Sequence, residues 1–376
     1  MSETRISENP SAVYYWDLRA SQKAPFDVRM RKLLKATEIA KYLRTGDLVA
    51  LKIHFGERGS TGFISPQLIK PWINFFKKSG TKPFLTDTNT LYSGERNEAV
   101  SHLLQAAEHG FDPNLLGAPL IIADGIKSNN QETVQFPGKH FENFYLAGDI
   151  VRAEQLLNLA HFKGHILTGF GGALKNLGMG CATRRGKMQQ HCDLAPMLKK
   201  EFCQGCGECI RVCSPGALYL NPEGIIGINQ EECIGCASCV HTCPTGAIKL
   251  NWQVDTKFFL ERMLEYAAAV LKTRDFPTLH VNFLLQISPG CDCNNYNDAP
   301  ICPDIGILAS YDPLALDRAS LDLVNRATPL HPSKLSSNSE NSENKFSAIY
   351  PHVPMNHFFE YARNLGLGQE NYQLIQ

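Results

Sequence analysis

The chain has 376 residues, 43% of them hydrophobic, and its 37 basic side chains balance 37 acidic ones. That composition suits a globular protein of one large domain or two ordinary ones, and a net charge of zero gives no footprint for nucleic acid or an anionic membrane. No apolar run approaches bilayer-spanning length, and the opening Met1-Ser-Glu-Thr-Arg-Ile-Ser-Glu8 lacks the apolar core of a signal peptide, so a cytoplasmic protein is expected.

Residues 12–17 read as a first strand, and the pattern over 28–44 predicts a helix that ends before Gly46. The apolar run 48–54 reads as a buried strand. Ser65-Pro66 opens a helix to about residue 78, with proline in its first turn and Gly80 closing it. A strand at 83–87, a helix over 97–109 and a strand at 119–124 follow. Strands and helices alternating at this spacing imply crossover connections, hence an α/β fold with a mostly parallel sheet flanked by helices. Ligands of such sheets sit beyond the carboxyl ends of the strands. The polar residues found there are His54, Glu57, Asp87, Asn89, Arg96 and Asp124, for which loop capping is the alternative role.

Further on, 151–158 reads as helical and 157–165 as a strand. The glycine-rich segment 169–180 fits neither the P-loop nor the dinucleotide fingerprint, although its glycines permit close backbone approach to a ligand and Lys175 can serve an anion or cofactor. Asp255-Thr256 caps a helix to about residue 272 whose apolar face holds Phe259, Met263, Tyr266 and Val270. A strand over 279–287 returns to the large domain, and Asp312-Pro313 starts another helix. Residues 332–346, rich in Ser and Asn, predict a mobile loop, and a last helix is expected over 355–364.

Of thirteen cysteines, eight form two copies of C-x2-C-x2-C-x3-C, at 203, 206, 209 and 213 and at 233, 236, 239 and 243. This spacing brings three thiolates to one cluster and sends the fourth to the other. Cys203, Cys206, Cys209 and Cys243 are therefore assigned to one [4Fe-4S] cluster, and Cys233, Cys236, Cys239 and Cys213 to a second. Paired zinc sites would use C-x2-C pairs but leave the third cysteine of each half unexplained. The stretch resembles bacterial two-cluster ferredoxins over roughly residues 196–252, except that Ser214-Pro215, not proline directly, follows Cys213. The expected organisation is an α/β domain split over 1–192 and 254–376, with an inserted α+β ferredoxin-like domain at 193–253.

Five cysteines remain: Cys181, Cys192, Cys291, Cys293 and Cys302. Cys291-Asp292-Cys293, with Asp298, Cys302 and Asp304 nearby, offers thiolates and carboxylates for an additional soft or borderline metal; free thiols or an oxidisable pair are the alternatives. The basic run Arg184-Arg185-Gly186-Lys187, with Lys199-Lys200, suits a solvated face, or docking of an acidic partner or a phosphate.

His165, then a glycine-rich turn with Lys175, then His191 has a spacing that resembles the lactate racemase family, which carries a nickel-pincer cofactor. The resemblance covers about thirty residues and implies a pocket in which Lys175 anchors a cofactor, His191 binds metal and His165 acts as acid or base. Hydrogen-bonded structural histidines and a surface lysine are the other reading. Nearly end to end, Ile53-His54-Phe55-Gly56-Glu57, Thr86-Asp87-Thr88-Asn89-Thr90-Leu91-Tyr92, Lys175-Asn-Leu-Gly-Met-Gly180, Cys291-Asp-Cys293 and Ser310-Tyr-Asp312-Pro313 resemble a family of iron–sulfur centre proteins. Its large domain is of unknown function and carries an inserted two-cluster ferredoxin.

Together these readings lead to an iron–sulfur protein whose two [4Fe-4S] clusters exchange electrons with a redox partner protein and serve a site for a small-molecule substrate. His54, Asp87, His165, Lys175 and His191 are its candidate catalytic residues. An oxidoreductase is one expectation. A pure electron carrier, a nickel-pincer-type isomerase with structural clusters and an accessory protein for metallocofactor assembly are the others.

Overall fold

The computed structural model of the chain describes residues 9–191, 196–250, 255–335 and 343–376. Eight strands join in one sheet, in the order Tyr372–Ile375, Ser11–Trp16, Gly306–Ser310, Leu279–Leu284, Gln155–His161, Leu48–Lys52, Lys82–Asp87 and Leu120–Ile122. Neighbours are parallel except where Gly306–Ser310 runs against both of its partners. The mostly parallel α/β sheet expected from the alternation of elements is thus the observed one.

Helices cover both faces, which is why the central strands are apolar throughout rather than alternating with polar residues. Side chains still divide by a period of two. Val49 and Leu51 go to one face, where they meet Met30 and Leu34 of helix Phe26–Ala36 and Ile69, Trp72 and Phe76 of helix Pro66–Lys78. Ala50 goes to the other, packed with Met263, Leu316 and Phe358 of helices Thr256–Lys272, Pro313–Arg326 and Met355–Asn364. The expected apolar face of Thr256–Lys272 is fully inside. Its Asp255 cap accepts from the N–H groups of Lys257 and Phe258, and Asp312 caps Pro313–Arg326 by accepting from Ala315.

Three expectations are corrected. The helix predicted over 28–44 stops at Ala36, because Glu38 takes a left-handed conformation (φ 55°) and only a 3-10 turn, Ile39–Tyr42, follows. The helix predicted over 151–158 is the short Gly148–Arg152, and 155–158 belong to a strand buried along its whole length. Burial on both faces of the sheet outweighs local helix propensity there. Within the loop expected over 332–346, Asn344 caps a helix, Lys345–Ile349, while 336–342 lie outside the described residues. The hairpin Gln131–Gln135 with Asn143–Ala147 and the edge strand Tyr372–Ile375 were not anticipated.

Residues 196–250 build separate small elements. Met197–Leu198 pairs with Ile248–Lys249 and Leu218–Leu220 with Ile226–Ile228, both antiparallel, and short helices Glu208–Arg211 and Ser238–Thr242 lie between them. None of these strands joins the large sheet. The boundaries expected at 192/193 and 253/254, and Cys192, fall outside the described residues. No described helix is long and apolar enough to cross a membrane.

Candidate functional site

Three adjacent parallel strands, Lys82–Asp87, Leu48–Lys52 and Gln155–His161, end at one cavity of about 250 Å3. Its wall contains His54, Asp87, His165, Lys175, His191, Cys291 and Cys293, so segments far apart in sequence meet at one place. The position is the one parallel topology provides, since the carboxyl ends of neighbouring strands leave a crevice between their loops.

Asp87 is the electrostatic centre of one side. It ends its strand almost fully buried, with Lys52 Nζ 3.0 Å from Oδ1 and Arg96 3.4 Å from Oδ2. Burial alone would raise its pKa, but Lys52 and Arg96 outweigh that and hold it lowered. Arg96 also donates to Glu57 (3.2 Å) and to the Tyr92 hydroxyl, and Tyr92 donates to Glu57 (3.1 Å). Lys52 donates to Asn176 Oδ1 at 2.9 Å, tying this network to helix Ala173–Gly178. Glu57 thus stands behind the cavity, as do Asn89 and Asp124, where Asp124 accepts from the Asn89 backbone and side chain, each at 3.0 Å.

Three histidines of the wall, His54, His165 and His191, are held neutral. Burial, reinforced by Arg96 and Lys163, lowers His54 well below its usual value. Burial with Lys175 and Lys163 does the same for His165, and burial with Lys175 brings His191 to about 3. Neutral imidazoles can accept a proton or bind a metal. At His165 the Thr168 hydroxyl donates to the Phe170 carbonyl and lies 3.0 Å from Nδ1. The Leu167 N–H approaches the same nitrogen at 3.3 Å.

Opposite them lies the loop that follows Leu279–Leu284. One ligand atom each from His165, Cys291 and Cys293 lies within 4.8 Å of the others. The two thiols share a hydrogen bond that, with Lys175 and Lys163, lowers Cys291 well below a normal thiol, while the same bond and burial raise Cys293. Asp292, between them, turns away, to His161 Nδ1 at 2.8 Å and Lys163 Nζ at 3.1 Å. Its backbone oxygen accepts from Glu57 N–H at 2.9 Å. Gly164 passes so close beneath that a Cβ there would sit 2.0 Å from the Pro289 carbonyl oxygen.

The eight ferredoxin-type cysteines line two hollows of their own. Cys203, Cys206, Cys209 and Cys243 surround one, and Cys213, Cys233, Cys236 and Cys239 the other. The two loops repeat one backbone path, with positive φ at Gly205 and Gly207 (64° and 76°) and at Gly235 and Ala237 (67° and 56°). Backbone N–H groups approach Cys209, Cys233 and Cys243. Burial and the surrounding thiols push Cys239 up to about 12. Four sulfurs gathered in this way call for a cationic centre, and N–H donors to sulfur are what thiolate-ligated clusters use. Cysteines gathered in this way fit a metal cofactor.

Comparison with known proteins adds the family. Residues 49–322 match the family described as "Domain of unknown function (DUF362)". The chain belongs to this family. No curated protein matches it. Among solved structures, the lactate racemase apoprotein from Thermoanaerobacterium thermosaccharolyticum is similar over 63% of this chain, at 13% identity and a TM-score of 0.33. The match spans about half of that protein, 48% of its length.

In this DUF362 chain Lys199 and Lys200 are exposed, but Arg184 and Lys187 do not form the solvated or docking face expected from composition. Arg184 and Lys187 are buried in helix Arg184–His191. Lys187 donates to Thr88 and to the carbonyls of Asn89 and Ala182, and its burial lowers it to about 8. Arg185 lies over the Tyr145 ring at 3.7 Å. Sequence reasoning also missed Lys52, His161 and Lys163 as parts of the site. A lysine inside the apolar run 48–54 was the available signal, because a charge in a strand buried on both faces requires a partner.

Proposed function

We propose that this DUF362 protein is a two-cluster iron–sulfur protein in which residues 193–253 relay single electrons to the cavity at the strand ends, where a small-molecule or metal redox step takes place. Cys203, Cys206, Cys209 and Cys243 would hold one [4Fe-4S] cluster and Cys213, Cys233, Cys236 and Cys239 the other. When bound, such clusters supply one-electron transfer. The chain's own part is to hold His54, His165 and His191 neutral and Asp87 ionised around the substrate, so that protons can be handled as electrons arrive.

One observation supports the coupling. Ala237, in the loop between Cys236 and Cys239, packs with Leu91 and Met188, and Leu91 itself lines the cavity. The second cysteine set is thus joined to the pocket through one apolar side chain. A side contact from Ser93 Oγ to His241 Nδ1, 3.3 Å, lies on the same seam.

Anaerobic purification followed by iron, sulfide, zinc and nickel analysis tests the cluster assignment. About eight irons per chain are expected, and substantially fewer with zinc in their place refutes it. Electron delivery is tested by reducing the protein with and without a Leu91→Asp change at the seam. Equal rates of oxidation by an acceptor confined to the cavity would count against the relay.

A further inference from the structure

We infer that His165, Cys291 and Cys293 form an open mononuclear metal site, which takes a divalent cation of the zinc class through three protein ligands and presents its fourth position to a small anion beside Lys175. The inference deepens the proposed function by naming what sits at the far end of the cavity, and it rests on that cavity being the functional one.

The geometry carries it. The three ligand atoms lie within 4.8 Å of one another, a bound that encloses the roughly 3.5–3.8 Å separations set by zinc bonds of ~2.0–2.3 Å. Two sulfurs and one imidazole form a donor set for a borderline or soft cation. All three line the cavity, so the fourth side opens to ligand rather than to another side chain. That is the arrangement of catalytic centres, whereas structural zinc sites close with four protein ligands.

The surroundings fix the ligands. Asp292 anchors the Cys–Asp–Cys turn from behind through His161 and Lys163. The Cys293 N–H approaches Cys291 Sγ at 3.4 Å. The Thr168 hydroxyl and the Leu167 N–H both contact Nδ1 of His165, so the proposed ion takes Nε2. Outer partners of this kind orient metal ligands and select the histidine tautomer.

Lys175 points to the class of co-ligand. The other cations of the wall are already engaged. Lys52 and Arg96 pair with Asp87, Lys163 with Asp292, and Lys187 with a hydroxyl and two carbonyls. Among the described residues no such ion pair holds Lys175, which also lines the cavity and whose charge acts on His165, Cys291 and Cys293 alike. A carboxylate bound to the metal would meet that ammonium.

The test uses the full chain, purified anaerobically with its iron and titrated with Co2+ as a reporter for zinc. About one equivalent is expected to bind, with ligand-field bands at the red end of the visible spectrum, where iron–sulfur clusters absorb weakly, and zinc should displace it. The bands should vanish in His165→Gln and in Cys293→Ser at unchanged iron content, and persist in Cys302→Ser. Acetate should shift them, and Lys175→Met should weaken that response at least tenfold without loss of cobalt. Absence of the bands from the parent protein, or their survival in both ligand variants, overturns the site, and an unaltered acetate response in Lys175→Met overturns the anion position. A protein lacking iron but showing the cobalt bands would sink the electron relay and leave this site standing.

Discussion

Replacing Asp292 with asparagine keeps the shape of the side chain and removes its charge. Asp292 is fully buried and links His161 Nδ1 at 2.8 Å and Lys163 Nζ at 3.1 Å, themselves almost fully buried. Removing one member of a buried ionic group strands the others, at a cost of about 3–5 kcal/mol. The backbone bond from Glu57 N–H to the Asp292 carbonyl survives the change, so the loss reports the side chain. For a chain of 376 residues the melting temperature should fall by roughly 4–6 °C. The pH dependence has a definite sign. Burial would raise the Asp292 carboxyl, but His161 and Lys163 outweigh burial and hold it well below the usual range. A depressed carboxyl contributes its stability above the unfolded value of about 4 and loses it as pH falls through the folded value. The difference between parent and Asp292→Asn should therefore stay constant from neutral pH down to about 4 and shrink below it. Anaerobic urea denaturation at several pH values measures this. A loss under about 1 kcal/mol at neutral pH, or a difference that does not shrink in acid, would refute the claim that this ion group anchors the Cys291–Cys293 turn.

Cys239→Ser should cost about four of roughly eight irons and leave the spectrum of a single cluster, read by iron analysis and electron paramagnetic resonance. Loss of all iron would mean that the two hollows do not fill independently. Gly164→Ala places a Cβ 2.0 Å from the Pro289 oxygen, and because backbone must move, a destabilisation of about 1–3 kcal/mol is expected by thermal melting. The same variant should bind cobalt more weakly through displacement of the Cys291 turn. His280 is buried against Asn158 at 3.0 Å, and burial brings it to about 3. Its unfolded imidazole takes a proton first as pH falls through about 6.5, so stability is full above that value and declines in acid by up to ~1.4 kcal/mol per pH unit. His280→Gln should show a shallower decline between neutrality and pH 5 (about one charge fewer), and an unchanged slope refutes the assignment.

Much of the fold was legible because its central strands obey two simple rules at once. The run 48–54 is apolar because helices cover both faces, and Pro66–Lys78 begins and ends where its proline and Gly80 require. The failures share one cause. Residues 155–158 carry a locally ambiguous pattern, and only their place between Leu279–Leu284 and Leu48–Lys52 makes them a strand. Tyr372–Ile375 is short and half-exposed, with little apolar signal of its own, and its pairing with Ser11–Trp16 joins the two ends of the described chain.

The candidate site divides in the same way. His54 and Asp87 could be found from sequence because each follows an apolar run, which places it at a strand's carboxyl end. The eight cysteines stood out because each C-x2-C-x2-C-x3-C is a local pattern. What sequence did not reveal is the work of residues that act across the sheet. Composition made Arg184 and Lys187 look like surface charges, yet helix Arg184–His191 packs them inward, where hydrogen bonds to Thr88 and backbone carbonyls replace water for Lys187. His165 stands more than a hundred residues before Cys291, and the two meet only because Gln155–His161 and Leu279–Leu284 pair in parallel and bring both following loops to one edge. Parallel pairing of distant strands is the means by which this fold brings together three side chains that no local spacing groups. The Cys–x–Cys signal is therefore incomplete by itself, and the histidine beside it follows from strand order rather than from sequence distance.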